Sequence, residues 1–198
     1  EDDGALINRL GFNNDGMKII KNRIKSDGKK GILGINIGPN KDTKDQKNDF
    51  CLGLENFFDI ADYITVNISS PNTERLRDFH DQEKLKGLLL ALNQIKKDNK
   101  TNIPLLLKIS PDIKDNHISE IVDVATQNDI SAIILTNTTN SNRDNLVSEA
   151  KKEEGGLSGE PIQQISINMI KKFYKQLNGR IPIIGVGGVN SGKTAYEK

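Results

Sequence analysis

The feature that most constrains this chain is a regular alternation of short apolar runs with longer stretches of helical period. The short runs are rich in β-branched and aliphatic residues, and these occupy both odd and even positions. Strands have this pattern when both faces of a parallel sheet are covered. This alternation predicts an α/β fold with parallel strands. The predicted strands are Gly31–Ile37, Tyr63–Ile68, Pro104–Ile109, Ala132–Thr136 and Pro182–Val186.

Between these runs, apolar residues three and four positions apart predict helices with one buried face. A shorter face near the start, Met17, Ile20 and Ile24, predicts a further helix. The four longer faces are Phe50, Leu54, Phe57 and Phe58; Leu85, Leu88, Leu89 and Leu92; Ile118, Ile121, Val122 and Ala125; and Ile162, Ile165, Met169, Ile170 and Phe173.

Polar residues follow the ends of several predicted strands, at Asn36, Asn67–Thr73, Lys108, Thr136–Thr139 and Gly187–Gly188. A doubly wound sheet gathers its ligand groups at one switch point, whereas a TIM-type barrel draws them from the ends of many strands. We therefore expect a parallel (β/α)8 TIM-type barrel. Because roughly eight strands close such a barrel, we expect residues 1–198 to form part of one, covering roughly five strand–helix units.

Composition narrows the classes of function. Lys and Arg total 28 against 27 Asp and Glu, and this net charge of +1 predicts no nucleic-acid binding. The single cysteine, Cys51, excludes an internal disulfide and fits a reducing compartment. The apolar runs are too short to span a membrane. No metal site is predicted, and His80 and His117 lie away from the strand ends.

The most informative polar segment is N-I-S-S-P-N-T at 67–73, in which Asn67 and Asn72 flank Ser70. Carboxamides donate and accept in a fixed plane, which suits a heterocycle that carries N–H and C=O groups. Similar clusters are T-N-T-T at 136–139 and N-R-L-G-F-N-N at 8–14. Each alone could be a polar turn. Together, at one barrel mouth, they predict a site for a planar amide or imide ligand.

Other segments leave two interpretations open. Lys108 either reaches solvent or provides a fixed cation in the barrel mouth. Two glycine-rich turns, 155–159 and 185–188, would let backbone N–H groups approach a phosphate. The polar segment Asn140–Glu154 is either a disordered surface loop or a lid over the site.

A competing motif lies near the end of the chain. Gly187–Thr194 reads G-G-V-N-S-G-K-T, which matches the P-loop pattern, with Lys193 on the phosphates and Thr194 on magnesium. That interpretation leaves the other strand-end clusters without a role. A P-loop-type nucleotide triphosphatase, or a non-catalytic barrel that binds a phosphorylated ligand, is therefore the alternative.

Taken together, the motifs resemble those of class 2 dihydroorotate dehydrogenases over essentially the entire chain. The resemblance implies FMN-dependent oxidation of dihydroorotate to orotate in pyrimidine biosynthesis, with a quinone as electron acceptor. It implies mitochondrial inner-membrane association if the source is eukaryotic, with membrane contact only through an N-terminal helical region outside residues 1–198. The motifs, in the family's order, are N-R-L-G-F-N-N, N-I-G, N-I-S-S-P-N-T, L-K-I-S-P-D, T-N-T-T, G-G-L-S-G-E-P and I-P-I-I-G-V-G-G.

The resemblance also implies roles for individual residues. Ser70 resembles the catalytic base, and serine rather than cysteine at this position indicates class 2. Residues 1–198 would be part of the FMN-binding catalytic barrel, with the first strands and the last strand and helix outside them. The implied substrate-binding residues are Asn8, Gly11, Phe12, Asn67, Asn72, Asn137 and Thr138. The implied FMN-binding residues are Asn36, Asn67, Lys108, Thr136, Gly159 and Gly188.

Overall fold

The computed structural model describes residues 2–73, 76–141 and 143–198. Within these ranges, strands and helices alternate along most of the chain. The strands are β1 (Ala5–Asn8), β2 (Gly34–Ile37), β3 (Tyr63–Asn67), β4 (Leu105–Ile109), β5 (Ala132–Leu135), β6 (Gly156–Gly159) and β7 (Ile183–Gly185). The α-helices are α1 (Met17–Asp27), α2 (Gln46–Phe57), α3 (Gln82–Asp98), α4 (Asp115–Gln127), α5 (Gln163–Leu177) and α6 (Gly192–Glu197). Short 3-10 helices span Leu76–His80, Glu149–Lys152 and Glu160–Ile162.

Five parallel strands form the main sheet, in the order β2-β3-β4-β5-β7. Each corresponds to a predicted strand, so the predicted α/β class with about five strand–helix units is confirmed. The observed strands are shorter than predicted at their ends. For example, β2 begins at Gly34 rather than Gly31, and β7 ends at Gly185 rather than Val186.

One face of this sheet packs against the helices and holds the main core. Parallel pairing keeps residues in register on the same face, so alternate residues of each strand enter this core. The predicted helix faces supply the other half, and α3 alone buries four leucines completely. Two residues of the fourth predicted face are exceptions: Ile162 belongs to a second cluster with Leu146 and Leu157, and Ile165 is in neither cluster. The strand residues packed in the core are Ile35, Ile37, Ile64, Val66, Leu105, Leu107, Ile109, Ile133, Leu135 and Ile183.

The other face of the sheet carries the alternate residues. Asn67 is in register with Lys108, Lys108 with Ile134, and Ile134 with Ile184. This row crosses four neighbouring strands at their C-terminal ends. Two of the predicted site residues, Asn67 and Lys108, are therefore side by side on the face that does not pack against the helices.

A second, two-stranded antiparallel sheet was not predicted. Strand β1 pairs with β6, and Asn8 is in register with Gly156. The 155–159 segment is therefore mostly a strand, and its prediction as a turn was wrong. Glycine at 155 and 159 permits the close pairing, since a Cβ there would lie 2.3 Å from the carbonyl oxygen of Asn8 or Gly4. Both residues also have a positive φ.

The segment 140–154 is folded rather than disordered in the part that the structure describes. The Arg143 guanidinium donates to the backbone carbonyls of Lys151, Glu153 and Gly155. The carboxylate of Asp3 accepts from the backbone N–H groups of residues 147 and 148, at 2.8 and 3.1 Å. The segment is the larger part of the connection between β5 and β6. These contacts hold it against the β1–β6 pair. The described residues include no helix long and apolar enough to cross a bilayer.

Acidification should destabilise this fold through His80. Burial, and secondarily the charge of Arg77, lowers the pKa of His80 to about 4, against about 6.5 in an unfolded chain. Folding therefore favours the neutral ring of His80. The stabilisation that results is fully present above pH 6.5 and is lost as the pH falls towards 4. Between pH 7 and 4.5 we expect the free energy of unfolding to decrease by about 2–3 kcal/mol from this group.

Urea denaturation at several pH values measures this effect. His80→Gln removes the titrating group and should flatten the acid limb of the stability curve. His117→Gln is the matched control, because that ring lies half-buried beside Glu120 near the start of α4. Equal pH slopes for unmodified protein and His80→Gln would contradict the assignment.

Candidate active site

Lys108 lies at the centre of the candidate site. Its side chain is largely buried, and burial lowers the pKa of Lys108. None of the ion pairs between described residues includes it. A cation that is partly desolvated and lacks a counter-ion favours an anionic or electron-rich ligand beside it.

A cavity of about 650 Å³ opens next to this lysine. It is within the range typical of small-molecule sites. The buried hydroxyl of Thr136 lines it and has no hydrogen-bond partner among the described residues. A buried polar atom without a partner is uncommon in native proteins and is expected to bind a ligand or water. The predicted site residues that line this cavity are Lys108, Thr136, Asn137, Thr138, Gly159 and Gly188.

Two of the predicted carboxamides meet at a third side chain, Ser69, which was not predicted. The Ser69 hydroxyl donates to Oδ1 of Asn67 at 2.8 Å and accepts from Nδ2 of Asn137 at 2.9 Å. Oδ1 of Asn67 also accepts from the backbone N–H of Ser69 at 3.2 Å. Oδ1 of Asn137 accepts from the backbone N–H of Thr138 at 2.8 Å. The loops after β3 and β5 are thus joined through their amide side chains.

The same loop after β3 contacts the end of β1. Oγ of Ser70 accepts from the backbone N–H of Asn72 at 3.3 Å, and Nδ2 of Asn72 donates to the carbonyl of Asn8 at 3.1 Å. Asn8 pairs with Gly156, where a Cβ would lie 2.1 Å from the hydroxyl of Thr138. Contacts therefore run continuously from Asn8 to the Asn67–Lys108 pair. Ser70 is buried in this loop but is not among the residues that line the cavity.

Three predicted site residues lie outside this set of contacts, near the end of β2. Asn36 is exposed on β2, an edge strand, in register with Thr65. The ring of Phe12 packs against Gly38, where a Cβ would come within 2.8 Å of it. Gly11 has a positive φ in an open turn. The structure does not bring these three residues into the cavity.

A partly buried carboxylate that was not predicted connects three of the site loops. Asp112, after β4, accepts from the Arg77 guanidinium at 2.9 Å and from the backbone N–H of Asn140 at 3.2 Å. It also accepts a short hydrogen bond from the hydroxyl of Thr139. The S-P-D sequence after β4 indicates a turn at this position. It does not reveal the partners of Asp112, because they are far away in sequence.

The P-loop interpretation finds no support in the geometry of the 187–194 segment. The hydroxyl of Thr194, which would bind magnesium, accepts from the backbone N–H groups of Asn190 and Ser191 and caps α6. Lys193 is exposed and lies 3.9 Å from Glu197. Gly188 packs on the start of α5, since a Cβ there would lie 2.6 Å from Cβ of Gln163.

Comparison with known proteins agrees with this geometry. The sequence model of the family described as dihydroorotate dehydrogenase matches residues 1–198. The chain belongs to this family. "Dihydroorotate dehydrogenase (quinone)" of Bartonella tribocorum is 42% identical over 202 residues, covering 100% of the chain and 56% of that protein. The protein of the same name from Christiangramia forsetii is 42% identical over 200 residues, covering 100% and 58% respectively.

Solved dihydroorotate dehydrogenase structures share the fold. The structure from Eimeria tenella in complex with ferulenol is 32% identical, with a TM-score of 0.92 over 98% of this chain and 59% of that one. The ligand-free structure from the same organism also has a TM-score of 0.92. Such dihydroorotate dehydrogenases are TIM barrels, which agrees with the predicted fold. The chain spans little more than half the length of the curated relatives that it matches.

Removing the Asp112 carboxylate should destabilise the loops of the site. Asp112→Ala leaves the partly buried Arg77 without its acid and frees the loop after β5. We expect a loss of about 2–4 kcal/mol in the free energy of unfolding. Glu149→Ala is the control, since its pair with Lys152 is largely exposed and should cost at most about 1 kcal/mol. Similar losses for both variants in chemical denaturation would contradict this role.

Proposed function

We propose that the protein that contains this chain oxidises dihydroorotate to orotate, with FMN as cofactor and a quinone as electron acceptor, in pyrimidine biosynthesis. Residues 1–198 would form part of its FMN-binding barrel. The names of the relatives support this proposal. The observation that carries it is the continuous line of contacts from the Asn8 backbone through the carboxamides of Asn72, Asn67 and Asn137. This line ends at the cavity beside Lys108, a cation without an ion pair among the described residues.

The residues around the cavity fit FMN. When bound, FMN would accept the hydride that leaves the substrate. Lys108 would place its positive charge beside a ring that gains electrons. The buried hydroxyl of Thr136, which has no partner among the described residues, would hydrogen-bond to the cofactor. Gly159 at the end of β6 and Gly188 after β7 would bring backbone groups close to it. Asn36 and Asn67 would complete the cofactor contacts from β2 and β3.

The carboxamides would hold the substrate ring. Dihydroorotate carries imide N–H and C=O groups and a carboxylate, and each can hydrogen-bond to an amide side chain. The residues that would bind it are Asn8, Gly11, Phe12, Asn67, Asn72, Asn137 and Thr138. All except Gly11 and Phe12 belong to the connected set described above, so binding would require the loop after β1 to approach that set.

Ser70 would act as the base that removes the proton from C5 while hydride leaves C6. A neutral serine hydroxyl is a poor base, and the strongly basic alkoxide is scarcely populated at neutral pH, so Ser70 must lose its own proton as it takes the one from C5. The N–H of Asn72 donates to Oγ of Ser70 and would stabilise the oxygen as it loses its proton. The proton then needs an exit, and Phe12 and Thr73 would shape a path to water.

The quinone acceptor bears on where the protein acts. Quinones dissolve in the bilayer, so membrane contact is proposed for a part of the protein outside residues 1–198. The curated relatives named above are bacterial, and mitochondrial inner-membrane placement stays a prediction for a eukaryotic source only.

A visible spectrum of the full-length protein tests the proposed function directly. We expect an oxidised flavin band that bleaches when dihydroorotate is added without oxygen, because the substrate's hydride reduces the cofactor. Colour should return on addition of a soluble quinone. Absence of a flavin band, or a band that dihydroorotate leaves unchanged, would favour a barrel that binds another phosphorylated ligand.

Ser70→Ala tests the assignment of the base. We expect flavin reduction by dihydroorotate to slow by about 10²- to 10⁴-fold, since positioned base catalysis is typically worth that much. FMN should stay bound, because Ser70 does not line the cavity. Stopped-flow absorbance measures the rate, and Ser119→Ala, an exposed hydroxyl on α4, is the control. Fast reduction in Ser70→Ala would reject Ser70 as the base.

A further inference from the structure

Ser69 occupies a position that the proposed mechanism does not use. It is completely buried and is the second residue after the end of β3. Its hydroxyl lies between Asn67, at the end of β3, and Asn137, in the loop after β5. Both carboxamides are proposed to bind the substrate, and each has a nitrogen end that donates and an oxygen end that accepts. A buried hydroxyl between them can therefore determine which end faces the ligand.

Two backbone N–H groups identify which end of each amide is the oxygen. A backbone N–H can only donate, so Oδ1 of Asn67, which accepts from the N–H of Ser69, must be the oxygen end. In the same way Oδ1 of Asn137 accepts from the N–H of Thr138. Nδ2 of Asn137 is therefore the end that points at the hydroxyl of Ser69.

These directions leave Ser69 one arrangement of its hydroxyl. A serine hydroxyl has a single proton to donate and lone pairs to accept. Ser69 must accept from Nδ2 of Asn137 and give its proton to Oδ1 of Asn67. Because Oδ1 of Asn67 already accepts from Ser69, the N–H groups on Nδ2 of Asn67 are the part of this carboxamide that can bind a ligand.

We propose that Ser69 is a positioning residue that locks the Asn67 and Asn137 carboxamides so that Asn67 presents N–H donors to the substrate. The inference rests on the proposed function and adds a requirement to it. The ligand must offer oxygen acceptors at this edge of the site, as the carbonyl and carboxylate oxygens of orotate do. Ser69 itself need not touch the ligand.

Orotate affinity of the full-length flavoprotein tests this role. The shift of the flavin spectrum on titration with orotate gives a Kd that does not depend on turnover. We expect Ser69→Ala to weaken orotate binding by roughly 10- to 100-fold, the usual effect of leaving a buried amide without its partner. Ser69→Cys keeps the packing but donates and accepts weakly, so it should shift the Kd in the same direction by less. Thr126→Val, which removes a half-buried hydroxyl on α4 that bonds only to backbone carbonyls of its own helix, is the control.

A double-mutant cycle distinguishes positioning from general loss of structure. If Ser69 acts through Asn137, Ser69→Ala should add little to the orotate Kd once Asn137→Ala is present. Additive losses, or an unchanged Kd in both Ser69 variants, would overturn the proposal. Because unmodified protein is titrated and reduced in parallel, absence of bleaching by dihydroorotate would instead reject the proposed function itself.

Discussion

The in-register pairing of parallel strands is the constraint on which the rest of this structure depends. Side chains alternate between the two faces of a strand, so register decides which residues meet. Asn67 and Lys108 share a row, and that row lies on the face opposite the helices. A shift of β4 by one residue would turn Lys108 into the aliphatic core and bring Leu107 into the site. The helix-facing leucines and isoleucines thus also fix where the polar residues point.

The loops after the strands must also be held in place if their side chains are to meet beside that row. The sheet places the ends of β3, β4 and β5 side by side, but the loops must still be held in one arrangement. Two polar groups do this on different sides of the loops. The buried Ser69 hydroxyl lies between two carboxamides, and the partly buried Asp112 carboxylate lies between Arg77 and the 139–140 segment. Both are satisfied by several partners, as buried polar groups must be if they are to stabilise a fold.

Much of the fold could be predicted because the strands of the main sheet are continuous apolar runs. The β1–β6 pair could not be predicted, because each of its strands has only four residues and two of those in β6 are glycine. Short strands that are weakly apolar carry no periodic signal. Their pairing depends instead on the close approach that Gly155 and Gly159 permit.

The candidate site was predicted in part for a similar reason. Asn67 and Lys108 lie near the C-terminal ends of β3 and β4, and Asn137 follows β5. The order of these strands in the sheet could be inferred, so the convergence of the three residues could be too. Ser69 and Asp112 were missed because their importance comes from partners far away in sequence, and a single chain does not reveal such pairs. The roles given to Asn36, Gly11 and Phe12 rest on resemblance alone, and these residues lie by β2, away from the cavity.

The β1–β6 pair has a consequence for how the cavity is assembled. Its strands are separated by roughly 150 residues, so their pairing closes a loop that includes most of the chain. Closing so long a loop costs more conformational entropy than any local contact in the sheet. Folding of the sheet between the two strands shortens the distance that remains to be closed, so we expect the pair to form after that sheet. We therefore expect the wall of the cavity that includes Gly159 to be completed after the row that contains Lys108.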